Sequence, residues 1–150
     1  MKIVIQRVSR ASVTVEGKLI SSIGEGMLIL VGVSVTDTEE DVEWVARKTA
    51  GLRIFDDAAG VMNLSVVEKG GDLLAVSQFT LLASTRKGNR PSYVNAAGHD
   101  LAVPLYNLYC SRLGELTGKD VAKGVFGADM KVDLLNNGPV TIVIDSKLRE

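Results

Sequence analysis

Residues 134–143, Leu-Leu-Asn-Asn-Gly-Pro-Val-Thr-Ile-Val, decide how the last third of the chain is read. Asn-Gly between two apolar runs is a strong hairpin signal, because both residues tolerate positive φ. A proline directly after it can open the next strand without removing a central ladder bond. The local reading is a plain turn between two strands, and with it an antiparallel sheet. The same four residues, Asn136 to Pro139, allow a second reading, in which the backbone of the turn is itself a working surface. Local sequence leaves both open.

Working outward, the chain reads as many strands and two helices. Residues 2–8 are rich in Ile and Val, and residues 12–16 alternate with Val13 and Val15 on one face. Gly17-Lys18 turns the chain into Leu19-Ile20, and residues 27–33 form a buried-strand candidate. Residues 52–55 are a short strand followed by a turn at 56–60. Residues 73–82 are a longer strand interrupted by the polar pair Ser77-Gln78, and residues 121–145 are strand-like throughout, with the hairpin inside them.

Residues 36–51, TDTEEDVEWVARKTAG, are the clearest helix. Thr36 with Glu39, or Thr38 with Asp41, can form a capping box. Acidic residues fill the first turn, Arg47 and Lys48 the last, and Gly51 is a natural stop. Val42, Val45, Ala46 and Ala50 make the inward stripe, with Glu43 and Arg47 paired outside. Asp100 can cap a second helix that buries Leu101, Leu105, Leu108, Tyr109, Leu113 and Leu116. Pro104 is tolerable near its first turn. The expected fold is α+β: a mostly antiparallel, curved, barrel-like sheet with two main helices, in one domain spanning residues 1–150.

Composition narrows the function. The chain has 150 residues, 46% hydrophobic content and a formal net charge of −1. That is enough for a sizeable core, and it gives no general attraction to nucleic acid or an anionic membrane. Any nucleic-acid contact is therefore expected to be local. The start turns polar at Gln6 and Arg7, before a secretory apolar segment could develop, and residues 27–33 are far too short for a bilayer span. The expectation is a soluble, cytoplasmic protein with no membrane contact. One cysteine, Cys110, excludes an internal disulfide and reads as a small core residue. One histidine, His99, reads as a surface residue, and with a single cysteine it cannot make a His/Cys zinc site. No metal and no cofactor is expected, and no phosphate-binding glycine fingerprint is present.

Two places remain odd. Core logic would continue the strand before Ser77-Gln78-Phe79-Thr80-Leu81 with apolar residues. Either the strand reaches solvent there, or its end presents polar groups and free amides to a ligand. In a regular strand Gln78 and Thr80 would face one side and Ser77 and Phe79 the other. Next, Arg86, Lys87 and Arg90 put three positive charges into five residues of an otherwise balanced chain. They are a solvated loop or a local phosphate-contacting patch.

Taken together, residues 77–81 (SQFTL), 88–92 (GNRPS) and 136–141 (NNGPVT) resemble the D-aminoacyl-tRNA deacylase family. The opening QRVSRASVTVEG and the segment FGADMKVDLLN are similar to it too, so the resemblance runs over essentially the whole chain. One departure is Asn137, where an aspartate is expected before Gly-Pro; both are good turn residues. The resemblance implies a hydrolase that cleaves the ester between a D-amino acid, or glycine, and the 3′-terminal adenosine of tRNA. It also implies a homodimer with active sites at the interface, in which a cis Gly138-Pro139 peptide projects into the partner's site.

A cis X-Pro bond holds its neighbouring carbonyls rigidly. Two such carbonyls could accept hydrogen bonds from a substrate α-ammonium. A D side chain would then point out of the pocket, while an L side chain would strike the Gly-Pro backbone. Glycine could not be rejected. For catalysis, Thr80 is the hydroxyl nucleophile by position, but no histidine or lysine is evidently placed to activate it. The favoured alternative is an oxyanion hole of backbone amides around Phe79 and Thr80, with Ser77 and Gln78 orienting the adenosine and the substrate 2′-hydroxyl assisting water. Phe126 and Met130 are candidates to line the adenine site, or core residues. Arg86, Lys87 and Arg90 are the expected tRNA contacts. A competing reading is a non-catalytic module that binds RNA 3′ ends; a purely structural dimer would leave Ser77-Gln78 and the basic loop without a reason.

Overall fold

The computed structural model describes residues 1–150. Its scaffold is β1 (Lys2–Val15), one continuous strand where the sequence suggested two. The first half of β1 pairs antiparallel with β3 (Gly26–Gly32), and the second half with β2 (Lys18–Ile23). Along its other edge β1 pairs with the long C-terminal strand β8 (Met130–Asp145).

Beyond β3 the sheet continues through β6 (Asp72–Ser77) to the short β7 (Ala122–Lys123), and both of these pairings are parallel. The sheet keeps the expected curved, mostly antiparallel character around β1, and is mixed because its β3–β6–β7 part is parallel. The reason lies in the connections: parallel neighbours need a crossover, and helices supply it here. Between β3 and β6 run α1 (Glu39–Gly51), the β4–β5 hairpin (Phe55–Asp56, Met62–Leu64) and the single turn α2 (Val66–Lys69). Between β6 and β7 runs α3 (His99–Thr117). The sheet curls towards closure, where Ser21 Oγ on β2 donates to the carbonyl of Lys123 on β7 at 2.5 Å.

Period-2 alternation on β3 builds two cores. Met27, Ile29 and Val31 face α1 and α3, joined by Ile3, Ile5, Leu73 and Ala75. Leu28 points into the curl of the sheet, where it meets Val8, Ala11, Val13, Leu74 and Val76.

Thr38 and Asp41 make the capping box of α1: the Asp41 carboxylate accepts from the Thr38 N–H at 2.9 Å. Gly51 is the last helical residue, with Leu52 as the cap. Glu43 is recruited across the helix pair by Arg112 (2.5 Å and 3.1 Å), so the expected Glu43–Arg47 side-chain pair is replaced by a bond from Arg47 to the Glu43 carbonyl. The second helix is capped by Gly98, with Asp100 in the first turn. It buries Leu105, Tyr109, Cys110 and Leu113 as expected, and also Ala102 and Tyr106, while Leu101 and Leu108 are half-buried and Leu116 is exposed. The strand expected over residues 52–55 begins only at Phe55.

Two further corrections bear on function. No hairpin occurs at Asn136–Pro139. Both halves of β8 pair with β1: Asn136 lies opposite Val8 and Thr141 opposite Gln6. The residues between them bulge out of the sheet, because a strand already committed to β1 on both sides has no second partner to turn towards. The strand expected over residues 73–82 ends at Ser77, and Phe79–Leu82 form a 3₁₀ turn. That turn lies over Gly32, where a Cβ would meet Leu82 Cδ2 at 2.6 Å and the Gln78 carbonyl at 3.0 Å. Glycine suits so close a crossing, since any Cβ there would have to displace the Leu82 side chain and press on the turn backbone.

Candidate active site

The end of β6 and the 3₁₀ turn open into a cleft of about 400 Å³. It lies at the carboxyl ends of the parallel pair β3 and β6, where open α/β sheets commonly take ligands. Ser77 makes the last register pair with Val31, and the Gln78 N–H still donates to the Val31 carbonyl at 2.7 Å. The backbone then leaves the sheet. Within the 3₁₀ turn the Leu81 N–H bonds to the Gln78 carbonyl, whereas the N–H groups of Phe79 and Thr80 precede any acceptor inside the turn. Two adjacent amides are thereby left without an acceptor in the turn, that of Phe79 on a residue lining the cleft and that of Thr80 on the residue after it. The Gln78 side-chain amide donates to Thr80 Oγ1, which ties the Thr80 hydroxyl to its neighbour.

Ser77, Gln78, Phe79, Phe126 and Met130 all line the cleft. Phe126 is fixed from behind by Tyr106, ring to ring at 5.7 Å, and the Tyr106 hydroxyl donates to the Ala75 carbonyl at 2.9 Å. Its other neighbour is His99, perpendicular at 5.2 Å. Met130 Sδ occupies the space beside Gly124, where a Cβ would stand 2.5 Å away. Thr80 is not part of the cleft lining, and only its neighbour's contact links its hydroxyl to the site.

His99 is the lining residue that sequence reasoning missed. It is solvent-exposed, as expected, yet it forms cleft wall as the first residue of α3, against Gly127. Being the sole imidazole of the chain was the one available signal; its contact with a phenylalanine 27 residues later was not legible. Arg7 is the second omission. It is buried, and its guanidinium donates to the carbonyls of Asn137 and Ile54, each at 2.8 Å, and to Asp56 at 3.3 Å.

Gly138 and Pro139 are not brought into this cleft. Their peptide bond is cis, and both residues are exposed on the bulge of β8. Asn136 closes the bulge, its Oδ1 accepting from the Val140 N–H at 2.8 Å. Arg86, Lys87 and Arg90 are also outside the cleft, on a loop whose neck is a pair of bonds between Ser84 and Ser92 (2.8 Å and 2.9 Å). All three are exposed and none is in an ion pair: no carboxylate reaches any of them.

Burial pushes the Cys110 thiol up to about 11, so at neutral pH it is a protonated core group. No group of three His, Cys, Asp or Glu side chains could hold a metal ion, and no helix is long and apolar enough to cross a membrane.

The profile of the family described as D-Tyr-tRNA(Tyr) deacylase matches residues 4–145. The chain belongs to that family. It is 61% identical to a D-aminoacyl-tRNA deacylase of Phocaeicola vulgatus and 59% identical to one of Bacteroides thetaiotaomicron, in each case over the full length of both chains. Among solved structures it resembles a c-Myc DNA unwinding element binding protein, at 42% identity and a TM-score of 0.91, covering 97% of this chain and 98% of that one. A probable eukaryotic D-amino acid tRNA deacylase superposes with a TM-score of 0.82 at 18% identity, over 96% and 98% of the two chains, and shares the fold. In this chain the SQFTL segment borders the cleft through Ser77, Gln78 and Phe79, and NNGPVT lies on the β8 bulge.

Proposed function

We propose that the chain is a D-aminoacyl-tRNA deacylase, hydrolysing the ester between a D-amino acid, or glycine, and the 3′-terminal adenosine of tRNA. The observation that carries this is a cleft of about 400 Å³, sized for a nucleoside and lined by Ser77, Gln78 and Phe79, with the Phe79 and Thr80 amides left without an acceptor in the 3₁₀ turn that borders it. The adenosine occupies the cleft against Phe126 and Met130, with Ser77 and Gln78 orienting it. Its ester carbonyl meets the two amides. Water attacks the carbonyl carbon, the amides stabilise the oxyanion, and the ester C–O bond breaks to release the amino acid and a free 3′-hydroxyl. The substrate's 2′-hydroxyl assists the water, since the side-chain partner of the Thr80 hydroxyl is the Gln78 amide, which cannot take its proton.

Chirality is read by Gly138-Pro139 of a second copy. Support comes from the exposure of this dipeptide away from its own cleft. β8 also pairs only with β1, and its free edge carries the exposed apolar side chains Leu135 (51%) and Val143 (59%). Such an edge invites a partner. In the dimer the bulge carbonyls accept from the α-ammonium, which leaves room for a D side chain and none for an L side chain. Arg86, Lys87 and Arg90 hold backbone phosphates of the acceptor end. Acting on aminoacyl-tRNA places the enzyme in the cytoplasm.

The test is paired deacylation of D-tyrosyl-tRNA and L-tyrosyl-tRNA at substoichiometric protein. Multiple turnovers of the D ester with the L ester spared is the expected result. Binding of the tRNA end without turnover of either ester would replace the enzyme with an end-binding module.

A further inference from the structure

Phe79 and Tyr93 are two aromatic residues at the surface, 56% and 39% exposed, with their rings packed edge to face and centroids 4.9 Å apart. Phe79 lies at the cleft and Tyr93 immediately beyond the Ser84–Ser92 neck of the basic loop. The Tyr93 segment is held in place: its carbonyl accepts from Ala96 at 3.0 Å, Asn95 accepts from Val35 at 3.1 Å, and Ala97 donates to Val33 at 2.9 Å. The pair is thus a fixed surface on the prolongation of β3. Between Asp72 and Asp100 the chain has no acidic residue, while Arg86, Lys87 and Arg90 sit on the loop that the neck closes.

Exposed aromatic faces beside a run of unpaired cations are what single-stranded nucleic acid requires: the rings take bases by stacking, and the cations follow the phosphates. Burying two rings against each other at the surface serves no core here, because neither joins the buried clusters. We propose that Phe79 and Tyr93 form a stacking platform for the unpaired nucleotide preceding the terminal adenosine, with the basic loop on its phosphate. This rests on the reading that the adenosine occupies the cleft. It adds a second, sequence-tolerant nucleotide site outside it, because every base offers a π-face.

The test compares two substrates, D-tyrosyl-tRNA and 3′-O-D-tyrosyl-adenosine, which lacks the preceding nucleotide. Tyr93→Leu should raise KM for the tRNA about tenfold with kcat unchanged, and leave the adenosine ester unaffected. Tyr93→Phe keeps the ring and should behave as wild type. A KM on tRNA unmoved by Tyr93→Leu would overturn the platform. So would equal losses on both substrates, which would make Tyr93 only a support for Phe79. Affinity for uncharged tRNA, intact or trimmed of its last two nucleotides, reads the platform without turnover. Trimming should weaken binding to wild type and have a smaller effect on Tyr93→Leu; equal effects on the two proteins would also overturn it. Should wild type hydrolyse neither ester, the deacylase reading fails while this binding comparison still decides the platform.

Discussion

Arg7 Nε donates to the Asn137 carbonyl at 2.8 Å and so ties the β8 bulge to the strand that carries it. The same guanidinium reaches the Ile54 carbonyl from a buried position. Replacing Arg7 by Met keeps much of the volume and leaves two carbonyls without their charged donor. Unsatisfied partners of this kind cost about 1–3 kcal/mol each. Arg7→Met should lower thermal stability and, with the bulge released, lower the preference for D over L esters. Measured denaturation midpoints together with paired deacylation rates check both effects. Unchanged discrimination would show that the bulge keeps its shape unaided.

Gly138 has φ +142°, a backbone region open essentially to glycine, and a Cβ there would lie 2.8 Å from Val140 Cγ2 and 3.0 Å from Arg7 Nη2. Gly138→Ala therefore carries backbone strain of about 1–3 kcal/mol as well as a clash. A loss of at least about tenfold in kcat/KM on the D ester is expected, equivalent to about 1.4 kcal/mol. The cleft residues should keep their affinity for adenosine, as titration with the free nucleoside would show.

Thr80 offers both an amide and a hydroxyl, and the hydroxyl accepts from Gln78. Thr80→Val removes only the hydroxyl. If the amides do the work, kcat stays within about tenfold of wild type. A thousandfold loss in single-turnover assays would give the chemistry to the side chain.

The free edge of β8 tests the dimer. Val143→Lys places a charge among the exposed apolar side chains of that edge, on a side chain already in solvent in the single chain. Sedimentation should show monomers with near-wild-type stability, and D-ester hydrolysis should fall with dimerisation. Full activity as a monomer would remove the second copy from the site.

The lowest ionisation concerns folding. Burial alone would raise the Asp41 carboxyl. Lys147 at 2.8 Å, Ser146 at 2.7 Å and the Thr38 N–H outweigh burial and hold the carboxyl well below the usual carboxylate range. A folded-state pKa below the unfolded value of about 3.9 adds stability that is present above that pH and lost as the pH falls through the folded pKa. Urea denaturation should show stability declining below about pH 4. The gap between wild type and Asp41→Asn should narrow over the same interval.

The sequence determined by itself whatever depends on local periodicity and caps: a capping box at the start of α1, narrowed to Thr36–Glu39 or Thr38–Asp41, the inward stripe of α1, the alternating face of β1, and the buried Cys110. It also marked SQFTL, the basic loop and NNGPVT as out of keeping with their surroundings. Tertiary structure decided the rest. Asn-Gly makes a hairpin only when the two flanking runs can pair with each other, and here β1 claims both, so the turn signal became a bulge. Ser77-Gln78 reads as an interrupted strand until the space over Gly32 shows where the chain must bend. Arg7 and His99 lie far along the chain from Asn137 and Phe126, and no local pattern records such meetings. They exist because a long central strand and a helix start bring distant segments within hydrogen-bond or ring-contact distance, which is a property of packing rather than of sequence spacing.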